Sequence, residues 1–201
     1  MKRLYTFFMA AALCLSSNAA TPINVVNGIS QELAVSRAAI VGNITYDLTF
    51  NIPASKTEAV KGNATITFIY KGGKTDLQLD FQGAPSQFDG LCIVNGKQIA
   101  VAWQDEHILI PRKSLRRGKN IISMSFISGD KSLNRNADYL YTLFVPEHAR
   151  SVFPCFDQPD LKALFRTRLN VPEGWETITS VSTERIPTYL FSFVAGKFSK
   201  Q

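Results

Sequence analysis

The 201-residue sequence is poor in the side chains that most often hold metals or act as nucleophiles. It contains two histidines, His107 and His148, and three cysteines. Neither histidine belongs to an H-E-x-x-H pair, in which two histidines one helical turn apart bind zinc. A G-x-S-x-G elbow and a glycine-rich phosphate loop are also missing. Judged from its residues alone, the chain has no visible catalytic apparatus and no metal site.

The sequence also lacks an apolar run long enough to span a membrane. Residues 4–15 are apolar except for Thr6, follow the basic pair Lys2 and Arg3, and precede small polar residues that end at Ala19. This order is typical of a secretory signal peptide, because the apolar stretch is too short to cross a bilayer. We predict a signal peptide over residues 1–19 and export to the periplasm or the extracellular space, with no transmembrane segment. A buried N-terminal helix is the alternative.

Residues 20–201 have the length of one domain. They retain only Cys92 and Cys155, and two cysteines do not make a disulfide framework. An oxidising compartment permits a bridge between them. Two small, buried, apolar residues are the favoured interpretation.

The positive charge of the chain is mostly scattered. Removing residues 1–19 takes away Lys2 and Arg3 and lowers the formal net charge from +6 to +4. One group of basic residues lies around a predicted turn at Gly118: Lys113, Arg116, Arg117 and Lys119. Because no aromatic residues are interleaved with them, we interpret this group as a solvated loop and predict no nucleic-acid binding.

Hydrophobic periodicity predicts one short helix followed by many strands. Ser30 is a candidate N-cap, and three positions at helical spacing follow it, namely Leu33, Arg37 and Ile40. The dipeptide Asn95-Gly96 predicts a tight hairpin. Alternating apolar residues predict strands at 44–52, 64–70, 77–81, 91–94, 98–103, 107–110, 120–127, 139–144, 164–171, 176–182 and 188–195. The predicted fold class is all-β, an antiparallel β-sandwich or curved sheet of roughly ten strands with one short N-terminal helix.

The acidic residues give little indication of a catalytic or metal-binding role. Glu106 and His107 are adjacent within a strand pattern, so their side chains are expected to point to opposite faces. Asp157, Asp160 and Glu173 are interpreted as solvated turn residues and caps. We predict no catalytic residue and no metal ligand in this chain.

One segment differs in character from the rest. Prolines, aspartates and aromatic residues are packed closely between residues 139 and 163, which indicates a rigid, turn-rich connector against apolar surface. The segment resembles the block AR-x-x-FPCFD-x-P-x-x-KA of the amino-terminal domain of M1 (gluzincin) zinc aminopeptidases, aminopeptidase N among them. The matching residues, called the motif below, are Ala149, Arg150, Phe153, Pro154, Cys155, Phe156, Asp157, Pro159, Lys162 and Ala163.

The resemblance implies a saddle-shaped β-domain that caps a thermolysin-like catalytic domain. In complete members that catalytic domain carries a G-x-M-E-N motif, H-E-x-x-H and a third zinc-binding glutamate, and none of these occurs here. Zinc and a peptide substrate are therefore expected only in a complete enzyme, with the catalytic domain as the partner. No cofactor is expected in this chain.

Two departures from the family pattern bear on function. Many members have a glutamine or glutamate before the motif that contacts the free amino group of the substrate, and Leu143 stands at that position. Leu143 and Phe144 are accordingly predicted to form at most the wall of a substrate pocket. The connection from Ser182 to Ile186 is also shorter than in other members.

The sequence leads us to expect one of two functions. The first is the N-terminal domain, or a truncated form, of an exported M1 zinc aminopeptidase that is inactive alone. The alternative is a non-catalytic β-module of the cell envelope, derived from the same family and used for binding or scaffolding. The sequence that follows Gln201 would discriminate between them.

Overall fold

The computed structural model describes residues 24–83 and 85–198. The predicted signal peptide lies outside these residues. Of the helices in the described part of the chain, none is both long and apolar enough to span a membrane.

The predicted N-terminal helix is present as α1, Gln31–Ile40. The hydroxyl of Ser30 accepts a hydrogen bond from the backbone N–H of Leu33 at 3.1 Å, which confirms Ser30 as the N-cap. Leu33 and Arg37 are the buried side chains of the helix, so one face packs inward.

Thirteen strands lie within the described residues. They are β1 Val41–Asn51, β2 Lys61–Tyr70, β3 Leu77–Asp80, β4 Leu91–Val94, β5 Lys97–Ala100, β6 Ala102–Gln104, β7 His107–Ile110, β8 Gly118–Ile127, β9 Leu133–Arg135, β10 Tyr139–Thr142, β11 Ala163–Asn170, β12 Glu176–Ile178 and β13 Val194–Gly196. Short 3₁₀ turns lie between them at Pro85–Gln87, Arg112–Ser114, Ala149–Ser151 and Thr188–Leu190. The all-β prediction is confirmed.

The strands form three sheets. The large sheet has the order β11-β1-β2-β8-β4-β5, the four-stranded sheet β12-β13-β10-β9, and the three-stranded sheet β3-β7-β6. All pairs are antiparallel except β1 with β11, which run parallel. The β4–β5 hairpin turns at Asn95 and Gly96, whose φ angles of 53° and 82° confirm the predicted type of turn.

Several local predictions were inaccurate. The strand expected at 98–103 is two short strands in different sheets, β5 and β6, and the strand expected at 139–144 ends at Thr142. Strand β9 was not predicted, and the strand expected at residues 176–182 stops at Ile178. The strand expected at 188–195 is a 3₁₀ turn followed by the short β13, because Pro187 fixes φ at −57° and begins the turn.

The core contains a cluster of aromatic rings. Phe165 and Phe191 stack with centroids 4.5 Å apart and an interplanar angle of 5°. The motif residue Phe153 packs edge-on against four other rings, those of Tyr46, Phe50, Phe144 and Phe191. Edge-to-face contacts of this kind add stability beyond the area they bury. Phe153 thus joins the large sheet to the segments beside the four-stranded sheet.

Candidate functional site

The motif is mainly an interior structure. Eight of its ten residues are buried, while Pro159 and Lys162 are exposed. The buried residues are Ala149, Arg150, Phe153, Pro154, Cys155, Phe156, Asp157 and Ala163.

Backbone hydrogen bonds attach the motif to the sheets. Asp80 N–H donates to the carbonyl of Cys155 at 2.8 Å, and Cys155 N–H donates back to Asp80 at 3.0 Å, which adds the motif to the end of β3. The N–H of Phe156 donates to the hydroxyl of Tyr46 on β1 at 2.8 Å. A buried N–H without such a partner would be destabilising.

Asp80 is the centre of a buried charged network. Its Oδ1 lies 2.5 Å from Arg37 Nη1 and 2.9 Å from His107 Nδ1, and its Oδ2 accepts from Asp157 N–H at 2.8 Å. Burial acts most strongly and raises the pKa of Asp80, but the attraction of Arg37 and His107 outweighs it and lowers the pKa below its ordinary value. Asp80 is therefore a carboxylate in the folded protein.

Arg37 connects α1 to this network. Its Nε donates to Gln158 Oε1 at 2.6 Å, and its guanidinium lies 5.8 Å from the ring centroid of Phe156. The amide of Gln158 donates in turn to the carbonyl of Ala34 in α1 at 3.0 Å. Gln158, which lies between the motif residues Asp157 and Pro159, therefore fixes the helix against the sheets together with Phe156.

Glu106 and His107 both contact the segment before α1, contrary to the sequence prediction. Glu106 Oε2 accepts from Gly28 N–H at 3.1 Å, and His107 Nε2 lies 2.9 Å from the carbonyl oxygen of Gly28. The prediction was wrong because Asp105 and Glu106 are the two central residues of a hairpin turn, with φ of 47° and 66°. Glu106 precedes β7 and does not follow its alternation.

Asp157 is also not the solvated residue that was predicted. It is 3% exposed, and its Oδ2 accepts from Arg150 N–H at 3.0 Å. Burial raises the pKa of Asp157 to about 6, although the bond from Arg150 opposes the shift. Asp160 and Glu173 are exposed, as predicted.

This network is suited to holding the fold and not to catalysis. Asp80 and His107 are fully buried, and their polar atoms contact protein groups. Burial raises the pKa of the Cys92 thiol to about 12 and that of Cys155 well above its ordinary value, so neither offers a thiolate. Both cysteines are free and buried, as predicted.

Zinc does not fit the residues that the structure describes. Within 24–83 and 85–198, no three histidine, cysteine, aspartate or glutamate side chains are grouped closely enough to hold a metal ion. A zinc site needs at least three protein ligands.

A different kind of surface lies beside the motif. Exposed and buried residues alternate along β10 and beyond, so that Leu140, Thr142 and Phe144 face the core while Tyr139 and Tyr141 face outward. The outward set, called the apolar face below, consists of Tyr139, Tyr141, Leu143, Val145, Ile178 and Phe198.

Strand register brings these side chains together. Tyr141 pairs with Val194, and Val194 pairs with Ile178, so all three project from the same side of the four-stranded sheet. The rings of Tyr139 and Tyr141 stack with centroids 6.2 Å apart. Contiguous exposed apolar residues of this kind mark interaction surfaces.

Leu143 and Phe144 differ in position. Leu143 is 58% exposed on the apolar face, whereas Phe144 is 1% exposed and packs against Phe153. Their role in a pocket wall stays a prediction.

Comparison with known proteins identifies the domain. Residues 128–190 match the family described as the Peptidase M1 N-terminal domain. The chain carries an M1 peptidase N-terminal domain. The match contains the whole motif and β10.

Curated relatives are much longer than this chain. Aminopeptidase N of Streptomyces lividans is 26% identical over 194 residues, which is 85% of this chain and 22% of the relative. Probable M1 family aminopeptidase 2 of Encephalitozoon cuniculi is 33% identical over 117 residues, which is 43% of this chain and 13% of the relative. The chain thus spans about a fifth or less of their length.

Solved structures share the fold. An M1 zinc metallopeptidase from Deinococcus radiodurans superimposes with a TM-score of 0.61 at 19% identity, over 78% of this chain and 42% of that one. Native yeast LTA4 hydrolase gives a TM-score of 0.62 at 20% identity, over 82% of this chain and 30% of that one.

Proposed function

We propose that this chain is the N-terminal domain, or a truncated form, of an exported M1 zinc aminopeptidase. In this role it caps a catalytic domain that removes N-terminal residues from peptides, and it is inactive alone. The observation that carries the proposal is the apolar face, which is exposed directly beside the buried motif.

The apolar face has the character of a domain interface. Leu143 and Val145 are more than half exposed, and Ile178 is 64% exposed. Burying a side chain of this type contributes about 1.5–3 kcal/mol. A catalytic domain seated here would therefore gain from several such contacts at once.

Leu143 limits what the cap contributes to substrate recognition. A leucine side chain packs against an apolar group but has no atom that accepts a hydrogen bond from an ammonium. In the complete enzyme we expect it to contact the first side chain of a peptide, with the amino group bound by the catalytic domain.

The proposal is tested first by the coding sequence that follows Gln201. Codons for G-x-M-E-N and H-E-x-x-H support it, and the absence of both there rejects it for this gene. A second test measures hydrolysis of aminoacyl-anilides by the purified chain with added zinc. We expect none, and turnover that a chelator abolishes would refute inactivity alone.

Export has its own test. Production in a bacterial host should yield a secreted chain whose mass corresponds to cleavage near Ala19. An uncleaved chain retained in the cytoplasm would contradict the proposed signal peptide.

A second candidate function is a non-catalytic envelope module for binding or scaffolding. The observation that favours it is Leu143, which replaces the polar contact expected of a substrate cap. A soluble monomer that unfolds cooperatively and binds a peptide or glycan would support this candidate. Self-association through the apolar face would instead favour the missing catalytic partner.

A further inference from the structure

Basic side chains from three segments meet at one end of the large sheet. Strand pairing places Tyr70 opposite Gly118, so the residues that follow β2 lie beside those that precede β8. The backbone N–H of Arg112 donates to Asp76 at 2.9 Å, and Asn95 Nδ2 donates to the carbonyl of Ser114 at 3.2 Å. The exposed cations of this basic end are Lys71, Lys74, Lys97, Arg112, Lys113, Arg116, Arg117 and Lys119.

The basic end is strongly one-sided in charge. Its segments, 71–76, 95–97 and 111–120, contain these eight cations and a single carboxylate, Asp76. Within the described residues, none of the eight forms an ion pair. The formal charge of the whole chain is +6, so the rest of the molecule is slightly negative.

A buried asparagine holds the central loop in place. Asn120 is 0% exposed, and its Oδ1 accepts from Arg116 N–H at 3.0 Å. Its Nδ2 donates to the carbonyls of Arg116 at 2.6 Å and Gly118 at 3.0 Å. The side chains of Arg116 and Arg117 therefore project from a preorganised turn, which reduces the ordering cost of binding.

A groove with a mainly apolar surface adjoins the cations, and its α1 wall carries one carboxylate, Glu32. It has a volume of about 710 Å³ and lies between one face of α1 and residues 72–75. Val35 lines it and is 65% exposed, while Lys74 lies on the opposite wall. The guanidinium of Arg117 lies against Gly72 at the same wall, at 3.2–3.3 Å from where a Cβ of Gly72 would be.

We propose that the basic end binds the surface of a bilayer that contains anionic phospholipids. Each lysine or arginine near such a surface contributes about 1 kcal/mol, and an adjacent apolar side chain can enter the interfacial region. A nucleic acid would use the cations alone, and the three segments contain no aromatic residue for stacking on bases. Cations beside an apolar groove fit a bilayer surface better than a nucleic acid, because a bilayer offers both anionic headgroups and apolar chains.

The basic end is free when the apolar face is occupied. Strand β2 runs from Lys61 to Tyr70, a span of about 30 Å. Its Lys61 end lies near the 53–58 loop, whose carbonyls at Pro53, Ser55 and Glu58 accept hydrogen bonds from Arg135 of the four-stranded sheet. A docked catalytic domain and a membrane would therefore contact opposite ends of the large sheet.

Vesicle sedimentation tests the proposal. The secreted chain, cleaved near Ala19, is mixed with vesicles of equal phosphatidylglycerol and phosphatidylcholine, or of phosphatidylcholine alone, at low and high salt. We expect binding only to the anionic vesicles, weakened by salt. The triple variant Lys113→Glu, Arg116→Glu, Arg117→Glu should bind on the order of 100-fold more weakly. Val35→Gln should weaken vesicle binding several-fold without changing the salt dependence.

A matched triple variant tests whether vesicle binding depends on the location of the cations or only on the net charge of the chain. Lys56→Glu, Lys61→Glu and Lys131→Glu change the charge equally at exposed sites away from the basic end, and this variant should retain at least half of the binding. The proposal is overturned if the wild type does not prefer anionic vesicles. It is also overturned if both triple variants lose binding equally, or if duplex DNA competes with the vesicles at equal charge concentration. Thermal unfolding of each variant checks that the fold is intact.

Discussion

The buried motif and the apolar face lie next to each other in the chain but are built on opposite principles. Around the motif, charged and polar groups are buried and paired, with Asp80 joined to Arg37, His107 and Asp157. On the apolar face, side chains such as Leu143 and Ile178 are exposed without a covering layer in the described residues. Buried charges require partners, whereas exposed apolar groups gain by acquiring one.

Because of this difference, we expect the motif to determine the stability of the fold and the apolar face to determine association with a partner. Residues of the motif hold α1, the large sheet and the three-stranded sheet together, and changes there should affect folding. Residues of the apolar face contribute little to the stability of the isolated chain, and changes there should affect association. Substitutions in the two regions can therefore be compared directly.

The largest effect is expected at Asp80. The variant Asp80→Asn keeps the size of the side chain but leaves Arg37 without a buried counter-charge, which should cost about 3–5 kcal/mol of unfolding free energy. Urea unfolding measures this loss. Asp138→Asn, which alters an exposed ion pair with Lys197, should leave the unfolding midpoint nearly unchanged. Equal effects of the two variants would contradict a structural role for the buried network.

Alanine substitutions of Phe153 and Leu143 compare how much one apolar side chain in each region contributes to stability. Phe153→Ala removes a fully buried ring that contacts four others and should cost about 3–5 kcal/mol. Leu143→Ala removes an exposed side chain and should change stability by less than about 0.5 kcal/mol. The same urea titration measures both. A large loss for Leu143→Ala would mean that the apolar face packs within the isolated domain.

The pH dependence of stability should depend on Asp157. Its pKa of about 6 in the folded protein lies above the unfolded value of 3.8, so the folded state binds more protons between these values. Stability should therefore fall as pH rises from about 4 to 6, by roughly 2–3 kcal/mol. Asp157→Asn should abolish this fall, while Asp160→Asn, at an exposed site, should retain it. Denaturation at a series of pH values measures this fall. A fall in stability that persists in Asp157→Asn would contradict the assignment to Asp157.

The hydroxyl of Tyr46 provides a smaller test. Tyr46→Phe keeps the ring stacked on Phe165 but leaves the buried N–H of Phe156 without an acceptor. The expected cost is about 1–2 kcal/mol. Thermal unfolding measures it, with Tyr141→Phe on the apolar face as the control. An unchanged melting temperature for Tyr46→Phe would show that the bond to the motif contributes nothing.

Local sequence patterns were sufficient for much of the fold. The N-cap Ser30, the alternation along β1, β2 and β8, and the Asn95-Gly96 hairpin each report on their own neighbours in the chain. The parallel pairing of β1 with β11 was not predicted, because it joins residues about 120 positions apart and has no local signal.

The candidate site was only partly predictable. The motif was located by resemblance, but Asp80 was missed as its partner because an aspartate at the end of an alternating strand resembles a surface residue. The polar positions of β3 are buried on both faces, which the pattern of alternation cannot reveal. The burial of Asp157 was also missed, because the flanking prolines indicate a turn without indicating how deeply that turn is buried.

The most direct test measures docking through the apolar face. The chain is mixed with the separately produced catalytic domain of an M1 peptidase from the same organism, and complex formation is followed by gel filtration and calorimetry. We predict a one-to-one complex that Tyr141→Asp with Leu143→Asp abolishes and that Thr65→Asp with Ile93→Asp, on the outer side of the large sheet, leaves intact. Absence of a complex, or equal loss in both double variants, would contradict the proposed role as a cap.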